Sequence, residues 1–258
     1  MNIVLIAGDS FAAGEWRDPN VAYKPYDVGI GHNLVSHGYQ VRNIAKPGGS
    51  NLESYTRVKH YLQCNQHEIA NIKFILFWQT EFYREMWHYS PSNLQELVSQ
   101  GYSALKNKFI YEPYFSLAEI YQEWKIPIYV IGGASDAVGW PGMEEKLPGV
   151  NIVCESVTNL LLENNHRATT PVYSSFISGL VDSPEYNFLD MVKKNISSSD
   201  LEILLNDIEL GRQRIALMMK NPYYFYPDGI HPNERAHKII FEFLLTAIPE
   251  LKCQGEND

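Results

Sequence analysis

Short apolar runs separated by helix-length segments constrain this chain more than any other feature. Residues 2–7 (NIVLIA), 73–78 (KFILFW) and 127–131 (PIYVI) are too short for buried helices and lack the alternation of a strand with one wet face. Runs of this kind read as strands covered on both sides, the pattern of parallel sheets. Residues 39–44 (YQVRNI) alternate as a further strand, and residues 150–154 add a short fifth.

Helical patterns fill the intervals. Residues 31–38 place Leu34 and Val35 on one side. Ser50 with Glu53 three positions on is a capping-box pattern. It opens a helix to about Cys64 whose stripe is Leu52, Tyr55, Val58 and Leu62. Residues 92–124 hold two helical stretches around Pro113. Strand, helix, strand, helix, strand is the order of a doubly wound, mainly parallel sheet, so the expected fold is a three-layer α/β/α sandwich. The last helix, residues 233–248, gathers Ala236, Ile239, Ile240, Phe243, Leu244 and Ala247 on one face.

Residues 156–226 break this rhythm with a polar loop, a helix over 199–219 and the aromatic run Tyr223-Tyr224-Phe225-Tyr226. They read as a helical insertion or lid packed over one edge of a single domain, because the chain must return to the sheet afterwards. A chain of 258 residues with 45% hydrophobic content suits one such domain.

Composition removes several function classes. The net charge of -9 gains little from counterion release, which argues against nucleic acid as a general partner. Cys64, Cys154 and Cys253 are odd in number and far apart, so they suggest neither a disulfide framework nor a zinc site. The first apolar run is shorter than the apolar core of a signal peptide, and no segment approaches a membrane span. The expectation is a cytoplasmic protein without a membrane partner, metal or organic cofactor.

Two motifs carry chemistry. Gly8-Asp9-Ser10 follows the first strand directly. Ligands of open parallel sheets bind at the carboxyl ends of the strands, so a serine there projects into the binding crevice. Its neighbouring N–H groups can face a developing oxyanion. Alone, these three are also ordinary turn residues. The second motif is Asp228-Gly229-Ile230-His231-Pro232. A nucleophilic serine needs a base, and the base needs a carboxylate to fix its tautomer. The D-x-x-H spacing lets one loop supply both, and Pro232 keeps His231 out of helical geometry. A plain Asp-Gly turn before a helix would look the same. Asp9 with Asp228 could also form a glycosidase pair, but that reading leaves His231 unused.

Taken together, the GDSF strand end and residues 226–237 (YPDGIHPNERAH) closely resemble the SGNH, or GDSL-like, hydrolase superfamily. The resemblance spans both ends of the chain and implies a flavodoxin-like three-layer fold. It assigns Ser10 as nucleophile, His231 as base and Asp228 as its orienting carboxylate. It also implies an oxyanion hole built from the N–H groups of Ser10 and of a glycine in the second family block. Residues 43–51 (NIAKPGGSN) resemble that block, with Gly48 the better-spaced match and Gly49 next.

The third block departs from the family. The usual G-x-N-D, whose Asn gives a third oxyanion donor, is replaced by residues 78–85 (WQTEFYRE). Thr80, with Gln79 as substitute, is the expected donor, since an ionised Glu81 has no proton to give. This stretch is similar to that of phage-associated SGNH-like proteins. Asp9, Asn51, Trp78 and Arg84 are the expected substrate contacts, with Arg84 suited to an acidic or polar group or to a structural ion pair with Glu81 or Glu85. Trp140 and the aromatics of residues 223–226 suit either sugar stacking or packing.

These residues point to a serine esterase cleaving small acyl esters, such as O-acetyl groups on a carbohydrate. Two alternatives share the fold. One is a catalytically weak protein that binds a glycan or another protein; the other is an acyltransferase using the same triad.

Overall fold

The computed structural model describes residues 2–14, 29–81, 84–85, 89–133, 135–140, 142–172, 188–226 and 231–252. Asp228 and Cys253 lie outside the described residues.

Five strands form one parallel sheet: β1 (Ile3–Ala7), β2 (Gln40–Asn43), β3 (Ile72–Gln79), β4 (Ile128–Gly132) and β5 (Val150–Cys154). Their order is β2-β1-β3-β4-β5, and every pairing is parallel. The chain reverses its direction of travel across the sheet between β1 and β3. Such a switch point opens a crevice beyond the carboxyl ends of the strands. Ser10 follows β1 and Thr80 follows β3, so this topology brings the two loops side by side.

Strand alternation divides the core into two layers. Ile3, Leu5 and Ala7 of β1, with Ile75 and Phe77 of β3, face one cluster together with Val58, Leu62, Leu117 and Ile120. Val4 and Ile6, with Phe74, Leu76 and Trp78, face the other, against Leu34, Ala236, Ile240 and Leu244. The three-layer α/β/α sandwich expected from the apolar runs is the observed fold.

Helix starts follow local chemistry. Ser50 accepts from the Glu53 N–H at 3.2 Å and the Glu53 carboxylate accepts from the Ser50 N–H at 3.1 Å, completing the capping box on Asn51–Cys64. Asn233 caps Glu234–Ala247 through the Ala236 N–H at 3.1 Å.

Pro113 does not separate two helices. The break falls at Gly101, whose φ of 92° suits glycine, between Pro91–Ser99 and Tyr102–Lys106. From Tyr102 the chain stays helical through a π-type turn, Asn107–Tyr111, and on into Glu112–Trp124. Pro113 follows directly on the π-type turn, which absorbs the gap its missing N–H leaves in the helical hydrogen bonding.

The described parts of residues 156–226 join both core layers. Val192, Leu204 and Ile208 enter the first cluster; Val157, Leu161, Met218 and Phe225 enter the second. The helix Ser198–Met219 is tied to the loop after β4 by a buried pair. Arg214 Nη1 and Nη2 donate to Asp136 Oδ1 and Oδ2 at 2.6 and 3.0 Å. Val172 N–H adds a bond to Asp136 Oδ2 at 3.0 Å. No helix among the described residues is long and apolar enough to cross a membrane.

Candidate active site

The turn that carries Ser10 exists because Gly8 permits it. Its φ of 141° lies where L side chains rarely go, and a Cβ there would stand 2.6 Å from Trp78 Cβ and 2.8 Å from the Trp78 carbonyl oxygen. Past Gly8 the chain enters a single helical turn, Ser10–Ala13. Asp9 caps it, its Oδ1 accepting from the Phe11 N–H at 3.0 Å. Ser10 therefore occupies the first position of the turn, where its own N–H needs no helical acceptor.

His231 is brought to Ser10 from the other end of the chain. Phe225 and Pro232 form an antiparallel bridge, and the Tyr226 N–H donates to the His231 carbonyl at 2.9 Å. The Asn233 N–H donates to the Tyr224 carbonyl at 2.9 Å. These bonds fix the backbone on which the imidazole stands. Its Nε2 lies 2.8 Å from Ser10 Oγ, within hydrogen-bond reach. Ser10 is largely buried, at 8% exposure. Nδ1 is the ring nitrogen left to face an orienting carboxylate; Asp228, expected in that role, lies outside the described residues.

The second loop lies against the first. Lys46 N–H donates to the Gly8 carbonyl at 3.0 Å, and the Gly49 N–H turns back to the Lys46 carbonyl at 2.8 Å. Gly48 takes a φ of 72°, and no neighbouring atom lies within 4 Å of where its Cβ would be. Among the described residues, neither the Ser10 N–H nor the Gly48 N–H has a backbone acceptor.

The end of β3 is arranged differently from the sequence expectation. Thr80 is fully buried, and its Oγ1 donates to Asp9 Oδ2 at 2.6 Å. Its one hydroxyl proton is thus committed to Asp9. Gln79 points to the opposite face of the sheet: its Nε2 donates to the Asp136 carbonyl at 3.3 Å and its Oε1 accepts from the Tyr114 hydroxyl. Gln79 and Thr80 are thus held by different partners, Asp136 and Tyr114 for one and Asp9 for the other.

The four expected substrate contacts separate into two kinds. Asp9, Asn51 and Trp78 are essentially without exposed surface. Asn51 clips the helix it begins to the end of β3, accepting from the Thr80 N–H at 2.9 Å and donating to the Thr80 carbonyl at 3.2 Å. Trp78 packs edge-on to His237 with ring centroids 6.5 Å apart. Arg84 alone keeps a reachable side chain, 20% exposed, and the carboxylate it meets is Asp9, at 3.4 Å. Trp140 packs edge-on against Tyr111 and Tyr114, and Tyr223 against Tyr224.

Three further residues support the site in ways the sequence does not show. Asn43 donates to the Ala12 carbonyl at 3.0 Å and accepts from the Ala45 N–H at 3.1 Å, joining the two loops. Arg57 Nη2 donates to the Gly8 carbonyl at 3.2 Å from the face of its helix. Glu85 Oε1 accepts from the Leu52 N–H at 2.6 Å, satisfying a donor in that helix's first turn. His237 is buried beside this site, and burial, then the charge of His231, push its imidazole down to about 4.

No family model matches the chain, and no curated protein does. Among solved structures, the chain is similar to TesA, at 13% identity over 97% of this chain and 99% of that one, with a TM-score of 0.40. It is also similar to the psychrotrophic esterase EstA from Pseudoalteromonas sp., at 10% identity over 98% and 100% of the two chains, with a TM-score of 0.41. A third is AlinE4, an SGNH-hydrolase family esterase, at 17% identity over 81% and 93%, with a TM-score of 0.34.

Proposed function

We propose that this chain is a serine esterase of the SGNH type that cleaves small acyl esters. The observation that carries the reading is the 2.8 Å contact between Ser10 Oγ and His231 Nε2, made by residues from opposite ends of the chain. Ser10 Oγ attacks the ester carbonyl carbon while His231 takes the hydroxyl proton. The carbonyl electron pair moves onto oxygen, which the N–H groups of Ser10 and Gly48 receive. The tetrahedral species collapses to an acyl-Ser10, and His231 passes its proton to the leaving alcohol. Water repeats the sequence in reverse and frees the acid. Asp228 holds the imidazole tautomer throughout. Acetyl as the acyl group and a carbohydrate as the alcohol rest on the family resemblance.

Hydrolysis of p-nitrophenyl acetate and of a peracetylated sugar, by the wild type and by Ser10→Ala, tests this reading. Turnover that Ser10→Ala abolishes supports it, and release of acetate from the sugar supports the carbohydrate part. Equal rates from both proteins sink the nucleophile assignment. Acyl transfer to added sugar in place of water identifies the acyltransferase alternative.

A further inference from the structure

An oxyanion hole with only two backbone donors would leave this site short of the third that its family resemblance implies, and both side chains suited by position are spent. Thr80 gives its proton to Asp9, and Gln79 faces the other side of the sheet. Arg84 stands at the same corner. Its Nη1 lies 3.4 Å from Asp9 Oδ2 and 3.4 Å from the Gly49 carbonyl oxygen. Asp9 immediately precedes Ser10, and Gly49 immediately follows Gly48. The guanidinium therefore sits between the two loops whose N–H groups receive the oxyanion.

Both contacts are long and both use one nitrogen. Nε and Nη2 have no acceptor among the described residues. A guanidinium carries five N–H donors in a fixed planar fork, so most of this one's donors are uncommitted. Arg84 follows the end of β3 closely, its N–H donates to the Glu81 carbonyl at 3.2 Å, and its guanidinium reaches Asp9 and the Gly49 carbonyl. Asp9 supplies a buried counter-charge that keeps the cation there without a substrate anion.

We infer that Arg84 supplies the third oxyanion donor, replacing the asparagine amide by a charged N–H. This inference rests on the esterase reading above. As the carbonyl electron pair moves onto oxygen, an Arg84 N–H closes on the resulting alkoxide, then releases it when the carbonyl re-forms. No proton leaves the guanidinium. Its contribution grows with the charge on that oxygen, so it acts on kcat more than on KM.

The test is kinetics on neutral p-nitrophenyl acetate for Arg84→Met and Arg84→Lys. Asp9→Asn/Arg84→Met, measured against Asp9→Asn, serves as a second series because it leaves no uncompensated carboxylate. Losing one oxyanion donor costs about 10²–10³-fold in kcat. That fall is expected for Arg84→Met in both series, with KM within about threefold and partial recovery in Arg84→Lys. The rate of phosphonylation of Ser10 by a neutral fluorophosphonate should fall in parallel, since its transition state also loads charge onto oxygen. Folded variants with unchanged kcat overturn the inference and leave the esterase reading standing. A loss confined to KM for anionic esters overturns it too, making Arg84 a substrate anchor. A wild type inert to ester and fluorophosphonate alike overturns both.

Discussion

Thr80 Oγ1 donates to Asp9 Oδ2 across 2.6 Å, inside a corner where neither residue has exposed surface. That bond ties the end of β3 to the turn carrying Ser10. Thr80→Val keeps the shape and removes the proton, leaving the buried oxygen, among the described residues, with the longer Arg84 contact. The expected cost is about 1–3 kcal/mol of stability. Denaturant unfolding of the two proteins measures it; an unchanged midpoint would mean the bond does not hold the corner.

Gly8→Ala adds a methyl group where Trp78 Cβ and the Trp78 carbonyl leave 2.6 and 2.8 Å. The backbone must shift, and a φ of 141° adds strain for any L residue. Overpacking of this kind costs about 1–3 kcal/mol. The displaced turn should also lower esterase kcat, because Ser10 is two residues on. Thermal melting together with initial rates checks both, and a variant matching the wild type in each would refute the steric account.

Arg214→Leu leaves the Asp136 carboxylate buried without its cation. Breaking such a pair from one side costs about 3–5 kcal/mol. Asp136→Asn/Arg214→Leu should recover part of that loss, since no bare charge remains. Urea unfolding of both variants measures the difference; equal destabilisation in the two would show that the charge imbalance is not the cause.

Acid should weaken the fold through His237. Its imidazole is held down to about 4 by burial and by His231, below the 6.5 of an unperturbed group. Between those values the unfolded chain binds a proton that the folded chain refuses, so stability falls as pH drops from 6.5 towards 4. Above 6.5 this group contributes no pH dependence. His237→Leu removes the slope. The stability of the wild type relative to this variant is expected to be higher at pH 7.5 than at pH 4.5, and a difference independent of pH would contradict the assignment.

Much of this architecture was legible from local patterns. The apolar runs located the strands because both faces of a parallel sheet are buried, and Ser50 with Glu53 marked a helix start that the structure reproduces bond for bond. The Ser10–His231 contact was legible because two short motifs shared one chemistry. The departures are non-local. The helical break falls at Gly101 because a π-type turn absorbs the disturbance near Pro113. Arg84 meets Asp9, and Asn51 clips Thr80, because the order β2-β1-β3 sets the loops after those strands side by side. Sequence distance conceals such pairs. The separation of Gln79 from Thr80 is of the same kind, set by Asp136 and Tyr114 on one side and Asp9 on the other.

Mass-mapped phosphonylation bears most directly on the central claim, that Ser10 is a nucleophile activated by His231. The folded protein is treated with a neutral fluorophosphonate and the modified residue is located by peptide mass. One adduct on Ser10, absent from Ser10→Ala and formed about 10²–10⁴-fold more slowly in His231→Ala, is the expected result. An adduct elsewhere, or none on a folded protein, would contradict the account.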